Sequence, residues 1–155
     1  MHRGPGWVAF TRGPIAYMRI HGALTREAVD ATRRLQLEGL ASRPAGMGFL
    51  LDASGEVVLP SADVRSYAAQ MAAKHSDGLA VHVTILEETG FRASALRSAL
   101  TGIFFLARTP YPRHVVGDLE SARDRLTAVL GDDVPPLASM RGEVEALRRA
   151  FSTAS

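Results

Sequence analysis

Two hydrophobic periods alternate along the chain. Ala16, Met18 and Ile20 alternate with Tyr17, Arg19 and His21, the period-two pattern of a strand with one covered face. A second apolar run, Trp7–Arg12, precedes it, and Gly13-Pro14 between the two is turn chemistry that predicts a hairpin. Residues 26–41 then repeat at helical spacing. Thr25 is a candidate N-cap, Ala28, Val29, Leu35 and Leu40 face one side, and Arg43-Pro44-Ala45-Gly46 stops the helix. Residues 48–52, Gly-Phe-Leu-Leu-Asp, form a short unbroken apolar run bounded by turn residues, as expected of a strand covered on both faces.

The alternation continues. Ser61 opens a helix predicted to reach residue 75, with Val64, Tyr67, Ala68 and Met71 as its stripe. Residues 79–86 read as a strand and 91–107 as a helix with Leu96, Leu100, Ile103, Phe104 and Ala107 inward. Residues 113–116 read as a short strand. Asp118 caps a helix over 119–130, with Leu126, Val129 and Leu130 facing inward, that stops at Gly131. After Pro135-Pro136, residues 141–151 carry Val144, Leu147 and Phe151 at helical spacing. Strands alternating with helices predict an α/β fold with parallel pairs and right-handed crossovers. The expected domains are a sheet-and-helix unit over residues 1–131 and a linker with a helical appendage over 132–155. The apolar face of that appendage packs on its own domain or pairs with a second copy, making a homodimer.

Composition narrows the function. With 155 residues, 46% hydrophobic and 22% charged, the chain can bury one substantial core. Its Arg residues are spread out, with doublets only at Arg33-Arg34 and Arg148-Arg149, and no basic run is interleaved with aromatics, so no nucleic-acid partner is expected. Zero cysteines exclude disulfides and thiolate chemistry. The apolar stretch 100–107 is too short to span a bilayer, so no stable membrane insertion is expected. The first ten residues lack a long apolar segment, so a cytoplasmic location is expected.

Candidate catalytic chemistry is sparse. His2, His21, His75, His82 and His114 have no metal-ligand spacing, no Gly-x-Ser-x-Gly elbow accompanies them, and no glycine-rich phosphate loop is present. The expectation is therefore a protein without enzymatic activity, catalytic residues, metal or cofactor.

Three segments carry a family resemblance. "IAYMRIHGALTREAV", "FLLDASGEVVLPSADV" and "GLAVHVTIL" resemble the opening strand and first helix, the phosphoserine segment and the third strand of the STAS domain. This is the fold of the SpoIIAA-type anti-sigma-factor antagonists, and the resemblance covers residues 15–130. Asp52 and Ser54-Gly55 match the Asp-Leu-Ser-Gly part of the second segment. Ser61 falls on the phosphorylatable serine and Val64 on the following leucine, whereas Pro60, Ala62 and Asp63 replace an Asp, a Ser and a Gly. The resemblance implies a STAS-like sheet of four or five strands with helices, plus a C-terminal helix. It also implies a bacterial regulatory module acting by protein–protein contact, whose candidate docking edge holds Asp52, Ser54, Ser61 and Asp63.

Each of these residues also has a purely structural reading. Ser61 is a good N-cap, with Asp63 favourable in the first helical turn. Asp52 suits an Asx turn over the following loop. A second functional expectation is a small-molecule or lipid pocket between the 91–107 helix and the sheet, and a third is a homo-oligomeric structural protein. Phe91, Phe105, Tyr111 and Phe151 are the candidate partner or ligand surface.

Overall fold

Met47–Asp52 is buried at all six positions, as an apolar run without polar alternation requires, and it lies in the middle of the sheet. The computed structural model describes residues 1–152. In chain order the strands are β1 (His2–Gly4), β2 (Trp7–Arg12), β3 (Ile15–Ile20), β4 (Gly22–Ala23), β5 (Met47–Asp52), β6 (Val57–Val58), β7 (Leu79–Ile85) and β8 (Arg113–Val116). The helices are α1 (Arg26–Ser42), α2 (Ala62–Lys74), α3 (Phe91–Ala107), α4 (Leu119–Leu130) and α5 (Leu137–Ser152), with one 3-10 turn at Gly131–Asp133. The main sheet runs β1-β2-β3-β5-β7-β8. β1, β2 and β3 are antiparallel, and β3, β5, β7 and β8 are parallel. β4 and β6 form a separate parallel pair.

The predicted hairpin is present. Arg12 pairs with Ile15 across Gly13-Pro14, and Gly13 takes φ +56°, a left-handed conformation that suits glycine in so tight a turn. The five strands foreseen in the main sheet are joined by β1 at its edge, three residues too short to show a period. β3 departs from the half-buried expectation: Ile15, Ala16, Tyr17 and Met18 are all at most 1% exposed. Its Ala16–Met18 face packs with Ala28, Ala31 and Leu35 of α1. Its Ile15–Tyr17 face packs with Leu126 of α4 and Met140, Val144 and Leu147 of α5.

The C-terminal helix thus completes the core on one face of the sheet. It begins at Leu137, earlier than its periodicity suggests, and its apolar side is spent on its own sheet. Gly48 lets α4 approach β5, because a Cβ there would come within 2.8 Å of Leu126. Val129, expected inward, is 43% exposed, since Ala122 and Leu126 already occupy the sheet-facing side of α4. On the opposite face α2 packs between α1 and α3. α2 buries only Ala69 fully, and its expected stripe of Val64, Tyr67, Ala68 and Met71 is half-buried.

Candidate functional site

The carboxyl ends of the parallel strands carry the first cluster. Asp52, the last residue of β5, is fully buried. Arg148 of α5 donates to it from Nε at 2.9 Å and from Nη2 at 3.4 Å, and Arg19 of β3 donates from Nη1. The Ser54 amide donates to the same carboxylate at 3.1 Å, which is the expected Asx turn. Burial alone would raise the Asp52 pKa, but the Arg148 hydrogen bond and the charges of Arg19 and Arg148 hold it below the ordinary carboxylate range. Arg148 also donates to Glu87 at 2.7 Å. Ser54 is buried, and its hydroxyl accepts from the Glu87 amide at 3.2 Å.

Ser61 and Asp63 lie apart from that cluster, on the exposed start of α2. The Ser61 Oγ accepts from the Val64 amide at 3.3 Å, so it is the N-cap of α2. Asp63 takes a bidentate pair from Arg26 of α1, at 3.1 Å from Nε and 2.6 Å from Nη2. Val58 and Leu59, separated from the cap by Pro60, are 53% and 47% exposed. The four residues that resembled one docking edge therefore divide: Asp52 and Ser54 are interior, and Ser61 and Asp63 are exposed.

A second site lies between the sheet and the three helices α1, α2 and α3. It is a cavity of about 120 Å³. Met18, Phe49 and Leu51 form its floor on the sheet, and Ala68, Met71, Leu100 and Ile103 close it from α2 and α3. At the end nearest the amino termini of the parallel strands its wall turns polar, with Arg33 and Gln36 of α1, His75 after α2, Tyr111 and Arg113. Gln36 is buried there and donates to the carbonyls of His75 (3.1 Å) and Asp77, tying α1 to the loop between α2 and β7.

Arg113 opens β8. Its guanidinium stacks on Phe104 at 4.4 Å and Tyr111 at 5.0 Å, and Nη2 donates to the Tyr111 hydroxyl at 3.3 Å. Its Nε and Nη1 are buried with no acceptor, as is Nη1 of Arg33. Among the described residues neither arginine has a carboxylate partner. Burial lowers the pKa of Arg113 from its ordinary value. His82 of β7 stands edge-on between Phe49 (5.1 Å) and Phe104 (5.2 Å), and it lines the cavity. Burial, with the nearby Arg113 charge, pushes its pKa down to about 3, so the ring is neutral near pH 7.

The four aromatic residues expected to share one surface are scattered by the topology. Phe91 and Phe105 protrude from α3, 89% and 77% exposed. Tyr111 is buried in the cavity wall. Phe151 is on the other face of the sheet, half-buried and stacked on His21 at 5.2 Å. Helical spacing relates only Phe91 to Phe105; Tyr111 lies in the loop before β8 and Phe151 on α5, so no local period ties them to α3. Arg19, Arg148, Glu87, Arg33 and Arg113 went unnoticed as site residues for the same reason: each is an ordinary surface-type residue until folding brings it beside a distant partner.

No family model matches the chain, and no curated protein matches it. Among solved structures it is similar to an uncharacterized protein from the DUF3478 family with a SpoIIAA-like fold, from Shewanella loihica PV-4. The TM-score is 0.55 at 20% identity, over 81% of this chain and 98% of that one. The fold is SpoIIAA-like, a divergent form of the STAS-like α/β architecture. No helix among the described residues is long and apolar enough to cross a membrane.

Proposed function

We propose that this chain is a non-enzymatic binding module that takes a small apolar carboxylic acid into the cavity beneath α1, α2 and α3. Arg113 carries the reading. Its Nε and Nη1 are buried without an acceptor in a largely apolar wall, an arrangement that costs free energy until an anion fills it. A carboxylate satisfies both N–H groups in the fork geometry that suits guanidinium. Arg33 adds a second unmatched donor to the same wall. The apolar body of the ligand then rests against Phe49, Leu51 and Leu100.

Size selects among ligands. A cavity of about 120 Å³ is close to the roughly 150 Å³ void that holds benzene, and below the ~300–1,000 Å³ of sites for larger ligands. A phenyl ring or a short alkyl chain fits. A full acyl chain would require α2 and α3 to part. The residues that would otherwise suggest chemistry are committed elsewhere, Asp52 to two arginines and Ser54 to the Glu87 amide. Native mass spectrometry of the purified chain mixed with phenylacetate and hexanoate tests the proposal. A retained acid supports it, and apo protein alone at every concentration counts against it.

A second reading, a regulatory module contacting a protein partner, is favoured by one observation. Val58 and Leu59 present apolar surface two to three residues ahead of the exposed Ser61 cap. Pull-downs from the native host with Ser61→Ala and Ser61→Glu variants test it, and an unchanged set of partners would end the switch idea.

A further inference from the structure

We propose that the outer face of α2 and α3 docks on an anionic lipid bilayer as a peripheral contact. The surface concerned is the exposed side of these helices rather than the cavity lining, and the inference does not depend on the ligand proposed above.

α3 buries Ala93, Leu96, Leu100, Ile103 and Ala107, which completes its inward stripe. The opposite side should then be polar, as on an ordinary surface helix. Instead it carries Phe91 and Phe105, which project about 21 Å apart along the axis at 1.5 Å per residue. Leu106, 65% exposed, extends this stripe towards Leu59, 47% exposed, across a shallow groove between the two helices. Between the large side chains stand Ser94, Ser98 and Gly102, which leave the rings standing proud of the helix.

α3 itself carries charge of one sign, while Asp63 at the start of α2 is paired with Arg26. Residues 89–117 contain no Asp or Glu, so every charge on α3 is an arginine. Arg97 stands exposed on α3 between the two phenylalanines in sequence, and Arg108, also exposed, caps the helix beyond Phe105. Arg65 of α2 borders the groove. None of these three has an ion pair among the described residues. A protein partner offers both signs of charge, whereas the surface of an anionic membrane offers one. Protruding apolar side chains flanked by arginines form the arrangement by which peripheral elements enter the interface.

Co-sedimentation of the full chain with vesicles tests this. Vesicles of phosphatidylcholine with phosphatidylglycerol should bind it at least about ten-fold more tightly than phosphatidylcholine alone, and salt should weaken that binding. Phe105→Ser with Leu106→Ser, and separately Arg97→Gln with Arg108→Gln, should each reduce binding about ten-fold or more. These positions are exposed, so circular dichroism and the unfolding midpoint should stay near wild type and verify folding. Absence of vesicle binding would overturn the proposal. So would equal binding to neutral vesicles, or variants that sediment like wild type. A wild-type dimer that becomes monomeric in the Phe105→Ser, Leu106→Ser variant would assign the face to a second copy and overturn it as well.

Discussion

Arg148 reaches Asp52 across 96 residues of sequence, its Nε 2.9 Å from the carboxylate. The pair fastens the C-terminal helix to the end of the central strand, where Arg19 meets the same buried carboxylate. It explains why a segment resembling a regulatory loop holds an aspartate that partners cannot reach.

Asp52→Asn should therefore destabilise the fold by about 3–5 kcal/mol, because it leaves Arg19 beside a neutral amide with little solvent to compensate. Arg148→Met should cost less, since Arg148 is about one-third exposed and Arg19 stays in place. Replacing Asp52 and Arg19 together by Leu and Met should recover much of the loss. Urea denaturation of the single and double variants measures these differences.

The pH dependence of stability should be carried largely by His82. Its folded pKa is depressed to about 3, below the ordinary value of about 6.5. The stability from keeping this ring neutral is fully present above pH ~6.5 and is lost as pH falls towards 3, because the unfolded chain takes up the proton first. Asp52, also depressed, adds a loss of the same sign below the ordinary carboxylate range. The unfolding midpoint should thus fall progressively below pH ~6.5. A His82→Phe variant should flatten the upper part of that fall, and an unchanged slope would show that His82 is protonated in the folded chain.

Ser61→Ala should cost about 0.5–2 kcal/mol by removing the cap on the Val64 amide. Ser61→Asp should retain most of that stability, since aspartate also caps and favours the positive helix start. Thermal unfolding of the three proteins distinguishes this from a purely regulatory serine, for which all three midpoints would coincide.

Arg108 ends α3 in the left-handed region, φ 46° and ψ 44°, where a side chain is strained. Arg108→Gly should stabilise the fold by up to about 1 kcal/mol. Measured beside vesicle binding, the same variant should be more stable and bind more weakly, as expected where a strained cation is retained for a surface role.

The elements were legible where strong boundaries framed a single period. Gly90 and Thr109-Pro110 bracket α3, and Gly117-Asp118 and Gly131 bracket α4, so both helices match their expected limits. β3 was misread because strand alternation reports one covered face, and only the distant α5 reveals that its other face is covered too. The candidate sites were less legible. Asp52 stood out through its place after an apolar strand, but its partners lie on β3 and α5. Arg113 looked like the first residue of a short strand. Its unmatched N–H groups exist only once Phe104, Tyr111 and the sheet enclose it, and no spacing in the chain records an enclosure.

The cavity proposal stands or falls on Arg113, and isothermal titration of wild type and Arg113→Met with phenylacetate and with benzyl alcohol addresses it most directly. Wild type should favour the acid over the alcohol by about ten- to a hundred-fold, the range of a charge-assisted hydrogen bond, and Arg113→Met should lose that preference while still accepting the alcohol. Equal affinity of wild type for acid and alcohol, or an acid preference that survives in Arg113→Met, would contradict it.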